Sequence, residues 1–152
     1  MKTKTATFYE CGVRYDKIAE DGSTKKVTEQ YIVDALSFTE AESRIIEEMS
    51  PYINGEFDVV TIKRTRYSEF VDNPKAVVSY YKVKIVWITV DEKTEKEKKT
   101  AVYWLVPATT INEARTIVME QLGSSTIDFE IKTLDETKYI DVFLHNSAKK
   151  KE

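Results

Sequence analysis

Only one cysteine, Cys11, and one histidine, His145, occur among the 152 residues. A lone thiol excludes an internal disulfide and a cysteine-rich metal site, and a lone imidazole withholds what most zinc sites and nucleophilic triads require. The four glycines are scattered and form neither Gly-x-Gly-x-x-Gly nor Gly-x-x-x-x-Gly-Lys, so a phosphate-cradling loop has little to be built from. With only three prolines beside them, long flexible linkers are not expected either. No apolar run approaches the roughly 18 residues of a membrane span, and the basic start Met-Lys-Thr-Lys-Thr-Ala-Thr has no apolar signal core behind it. A cytoplasmic protein without a membrane role is expected. The sequence indicates no cofactor, no metal and no small-molecule substrate. The formal charge of −3 is mild, and residues 1–72 carry 10 basic and 14 acidic groups against 13 and 12 in residues 73–152. Neither half has the strongly basic footprint of a duplex DNA binder.

What is present is a repeat. Tyr31-Ile-Val-Asp-Ala-Leu-Ser-Phe-Thr-Glu-Ala-Glu-Ser-Arg-Ile-Ile-Glu-Glu-Met49 reads as a strand, a capped helix start and an amphipathic helix, and a shift of 73 places Val33 on Val106, Ala35 on Ala108, Glu40 on Glu113, Ala41 on Ala114 and Met49 on Leu122. Ser37 with Glu40, and Thr110 with Glu113, are capping boxes in which hydroxyl and carboxylate each satisfy an amide at the helix start. Ala41, Ile45 and Met49, joined by Phe38 and Ile46, form the apolar stripe of the first helix. Pro51 halts that helix, and Gly123 caps the second.

Upstream, Thr7, Tyr9, Cys11, Val13 and Tyr15 alternate with polar residues as a half-buried strand, and Tyr81, Val83, Ile85 and Trp87 repeat it at a shift of 72. A polar loop over 19–26 with an Asp21-Gly22 turn leads to a second alternating run, which predicts a hairpin; the charged stretch 91–99 is its counterpart. Downstream of each helix come two strands, Phe57 to Lys63 with Tyr67 to Val71, and Ile127 to Lys132 with Thr137 to Phe143. The fold predicted is therefore α+β, an internal duplication of a ββαββ unit with antiparallel sheets each covered by one helix in a pseudo-two-fold arrangement. Residues 1–72 are the first repeat, 73–144 the second and 145–152 a disordered tail. Each half alone is too small to bury a comfortable core, so the repeats are expected to share one, the alternative being two sheets with independent cores.

The stretches Val27-Thr-Glu-Gln-Tyr-Ile-Val-Asp-Ala-Leu-Ser-Phe-Thr-Glu-Ala-Glu42, Asp91-Glu-Lys-Thr-Glu-Lys-Glu-Lys98 and His145-Asn-Ser-Ala-Lys-Lys-Lys151 resemble a domain family of unknown function, about 150 residues long, from Bacteroidetes and their phages. The resemblance spans nearly the whole chain. It implies a bacterial or phage setting in the cytoplasm and supplies no catalytic residues.

Candidate chemistry is sparse. Cys11 lies on the apolar face of a strand, where a thiol packs as a small hydrophobe. His145 falls beyond the last strand, outside any fixed geometry a general base would need. Glu40 and Glu113 recur because they cap helices. The leading expectation is thus a non-enzymatic binding or adaptor protein acting through a protein partner or self-association, with strand addition at sheet edges as the contact mode. The alternative is weak binding of single-stranded nucleic acid. It rests on Lys63, Arg64, Arg66 and Tyr67 with their echo at Lys132, Lys138 and Tyr139, since such sites combine phosphate neutralisation with base stacking on aromatics. The competing reading of the same residues is an edge strand protected by charge.

Overall fold

The computed structural model describes residues 7–73, Lys75 and residues 78–144. The tail 145–152 and His145 lie outside the described residues. Ten elements follow in the order ββαββ, twice: β1 (Thr7–Ile18), β2 (Thr24–Ala35), α1 (Phe38–Met49), β3 (Phe57–Arg64) and β4 (Tyr67–Phe70), then β5 (Ser79–Val90), β6 (Glu97–Ala108), α2 (Ile111–Leu122), β7 (Asp128–Glu136) and β8 (Tyr139–Phe143). The chain is an α+β protein of two four-stranded sheets, each carrying one helix.

The order of strands in the sheets departs from the repeats. One sheet runs β3-β1-β2-β8 and the other β4-β6-β5-β7, so each repeat gives its last strand to the sheet built by the other. The donated strand pairs in parallel, Gln30 with Tyr139 and Tyr67 with Tyr103, while every other pair is antiparallel. The sheets are antiparallel as expected apart from these donated strands. Two compact units result, and their boundaries fall at Thr65/Arg66 and Thr137/Lys138.

Two clusters of buried side chains form, one built on Tyr9, Cys11, Val13, Val33 and Ile45, the other on Val83, Ile85, Trp104, Val106 and Val118. Phe8, Ile32, Tyr67, Val86 and Leu105 are buried outside both. A donated strand adds apolar cover that three strands lack, Phe143 packing on the first cluster and Val71, just past β4, on the second.

Both helices start as the sequence predicts. Ser37 Oγ and Thr110 Oγ1 each accept from the amide three residues on, at 3.1 Å. The carboxylates reach one residue further back than a simple capping box: Glu40 accepts from Leu36 N–H and Glu113 from Thr109 N–H. Ala41, Ile45 and Met49 are buried, but Phe38 and Ile46 are exposed, because the stripe facing the sheet is narrower than the apolar residues that flank it. Of the strand aromatics, Tyr9, Tyr31 and Tyr81 are buried as expected, whereas Tyr15 and Trp87 are only half-buried. Both sit in the hairpins and pack, partly buried, against the clusters. Those hairpins are longer than the polar loops suggest, since Asp16 pairs with Lys26 and Thr89 with Lys98 in ladders whose backbone bonds do not need apolar side chains. At the first turn Gly22 takes φ +86°, and at the matching place on the return side of the second Glu95 takes φ +58°.

Candidate interaction surfaces

Arg66-Tyr67 and Lys138-Tyr139, the basic and aromatic neighbours of the nucleic-acid reading, each follow a threonine with a structural role. Thr65 donates from its amide and its hydroxyl to the carbonyl of Phe8, at 2.9 and 2.6 Å; Thr137 does the same to Tyr80, at 2.9 and 2.7 Å. Each threonine thus fastens the end of its strand to the first strand of its own repeat. One residue later the chain passes to the other sheet, where Tyr67 or Tyr139 opens the donated strand. Thr-x-Tyr recurs because the crossover recurs.

The predicted residues are divided between the two compact units. Lys63, Arg64, Lys138 and Tyr139 belong to one compact unit, and Arg66, Tyr67 and Lys132 to the other. Within the first unit, Lys63 and Arg64 lie on one edge strand of the sheet and Tyr139 on the opposite edge strand. Tyr67 is 3% exposed, so its ring is not available to stack on a base. The Tyr139 ring is half-buried and its hydroxyl donates to Glu10 Oε1 at 2.9 Å. Three of the cations are engaged: Arg64 lies 5.6 Å above the Phe38 ring, Arg66 lies 4.9 Å above the Tyr103 ring, and Lys132 pairs with Glu130 at 2.7 Å, holding that carboxyl below its usual range. Lys63 and Lys138 are exposed.

The residues weighed for chemistry are occupied by structural work. Cys11 is fully buried in the first core, and burial pushes its thiol up to about 12. Tyr15, Tyr31 and Lys17 converge on Glu29, at 2.7, 3.2 and 3.9 Å. Arg44 bonds both the carboxylate and the backbone carbonyl of Asp34, tying α1 to β2. Among the described residues no three His, Cys, Asp or Glu side chains gather so as to hold a metal ion, and no helix is long and apolar enough to cross a membrane.

Two grooves stand out instead, and the sequence reading missed both. One, of about 560 Å³, lies between α1 and β3 and is lined by Glu42, Ile46, Ser50, Glu56, Phe57 and Val59. The other, of about 380 Å³, lies between α2 and β7 and is lined by Arg115, Met119, Phe129, Ile131 and Lys132. They occupy equivalent places. Ile46 matches Met119 at a shift of 73, and Phe57 and Val59 match Phe129 and Ile131 at 72. The rims differ in charge, Glu42 standing where Arg115 does in the other copy. Each groove borders an edge strand, β3 in one sheet and β7 in the other. The available signal was the pair Ile46 and Met119, apolar residues outside the buried stripe at matching positions of both helices.

A model of the domain of unknown function DUF4494 matches residues 7–145, a span covering both sheets and both helices. The chain belongs to this family. The matched residues include both copies of the ββαββ order. No curated protein matches the sequence.

Proposed function

We propose that this DUF4494 chain is a non-enzymatic binding or adaptor protein that works in the cytoplasm of a bacterium or a phage-infected cell through protein–protein contacts. The observation that carries this reading is the twin groove. An apolar floor exposed beside an edge strand whose outer backbone groups have no strand partner among the described residues suits an extended segment of another protein, which adds main-chain bonds and seats alternate side chains. Opposite rim charges give the two copies different preferences.

Ile46→Glu and Met119→Glu place a charge in the groove floors without touching either core. Used as bait in lysate of the source organism, the wild type captures a partner that one or both variants lose, while circular dichroism of the variants is unchanged. Retention of every captured protein by the double variant refutes the reading. Single-stranded nucleic-acid binding is the weaker proposal, supported by the exposed Lys63 and Lys138 but without Tyr67 as a stacking platform. Its check is the anisotropy of a labelled oligonucleotide at low salt, where no change removes it.

A further inference from the structure

The strands β3 and β7 hold equivalent places and carry the same irregularity. In β3 the register against β1 slips between Gly12 and Val13, leaving Val60 as the extra residue; in β7 it slips between Lys84 and Ile85, leaving Lys132. Lysine at an edge strand guards against the addition of another strand. Only β7 has that guard at the bulge, because β3 presents Val60, 42% exposed, at the matching position.

The bulge also sets which side chains share a face. Asp58 stands opposite Arg14 and Lys63 opposite Glu10, on the face away from α1, while Val59 and Ile62 stand opposite Val13 and Cys11 on the face toward it. Five positions apart in a regular strand, Asp58 and Lys63 would point to opposite faces. The inserted residue puts them on the same one, and neither has an ion pair among the described residues.

We infer that β3 is the docking site for a second copy of this chain, through antiparallel β3–β3 pairing about a two-fold axis. This deepens the protein-contact reading above and rests on it. In that pairing Asp58 faces Lys63 of the second copy and Lys63 faces its Asp58, Val59 meets Ile62, and Val60 meets Thr61 at the axis. Asp58 and Lys63 share one face and Val59 and Ile62 the other, and opposite charges directly across a strand pair favour it. The same geometry applied to β7 sets Glu130 against Asp135 and Lys132 against Thr133, so that edge repels its own copy. The remaining edges, β4 and β8, are four and five residues long and offer too little ladder.

The test is the mass of the full chain by sedimentation equilibrium over a wide concentration range. The wild type is expected to form a dimer that weakens with added salt. Asp58→Lys alone and Lys63→Asp alone each set like charges face to face twice per dimer and should weaken it roughly 10- to 100-fold. Mixed one to one, the two variants should associate with each other, and the double variant carrying both swaps should dimerise again. Val60→Lys copies the residue that β7 tolerates at this bulge, so it should fold and should block the dimer. A wild type monomeric throughout, single swaps without effect, or a mixture that stays monomeric overturns the inference. A monomeric wild type that still captures a partner lost in Ile46→Glu overturns this inference alone and leaves the protein-contact reading standing.

Discussion

Removing one buried hydroxyl should stabilise this protein. Tyr9, near the start of β1, is 0% exposed, its ring meets Phe38 edge-on at 5.0 Å, and its hydroxyl has no hydrogen-bond partner among the described residues. Leaving such a group unsatisfied in the interior costs about 1–3 kcal/mol, and phenylalanine keeps the ring in place while removing it. Tyr9→Phe should therefore raise the unfolding free energy by about 1 kcal/mol, equivalent to about 2–4 °C in Tm for a chain of this size. The contrasting change is Tyr31→Phe. Tyr31 is nearly as buried, but its hydroxyl donates to Glu29, so the same chemical deletion should cost about 1 kcal/mol. Urea unfolding followed by circular dichroism compares the two, with an unchanged m-value confirming that stability alone has moved. A Tyr9→Phe protein less stable by 1 kcal/mol or more would show that the hydroxyl is satisfied in solution, and the reasoning would fail.

Glu95→Gly should add about 0.5–1 kcal/mol, since Glu95 holds the left-handed backbone that Gly22 holds at the matching turn; thermal unfolding reads it. Trp104→Ala, at a site 2% exposed, should cost about 3–5 kcal/mol through lost burial and the cavity left behind, measured by denaturant titration. Cys11 should resist a thiol reagent at neutral pH and label at the rate of unfolding, because its thiol is buried and held protonated; rapid labelling of the folded protein would contradict the placement. Burial, reinforced by Glu29, raises Tyr15 to about 12 and moves Tyr31 in the same direction. Unfolded tyrosines ionise near pH 10, so this contribution to stability is complete below pH 10 and is lost as pH rises from about 10 toward 12. Ultraviolet titration of phenolate against unfolding midpoints follows both effects.

Much of the fold was legible in the sequence for a local reason. A capping box is written within four residues, a hairpin in two alternating runs and a turn, and the helix stripe in three residues at a spacing of four, so Ser37, Asp21-Gly22 and Ala41-Ile45-Met49 each announced their element. The strand exchange has no such signature. Whether the chain after Thr65 adds to its own sheet or to the other one depends on partners 36 residues away, Tyr67 against Tyr103, and nothing local records that choice. A structural motif with no visible structural reason then looked functional, which is why Thr65-Arg66-Tyr67 and Thr137-Lys138-Tyr139 were read as basic–aromatic pairs. The grooves escaped for a related reason. Each is made by a helix and a strand separated by a loop, so the residues that line it are not neighbours in the sequence.

The reciprocal exchange of β4 and β8 relates this chain to an assembly of separate molecules. A single ββαββ polypeptide obeying the same rule would have to surrender its last strand to a neighbour and receive one back, so its native state would be an obligate dimer whose integrity falls on dilution. Joining two copies end to end turns that encounter into an internal step, with an effective concentration on the order of millimolar for a short connector. Such a fusion folds with the same yield at any abundance. It also frees the two copies to diverge, and the replacement of Arg115 by Glu42, and of Lys132 by Val60, across matching positions is a divergence that a symmetric pair of identical chains could not express.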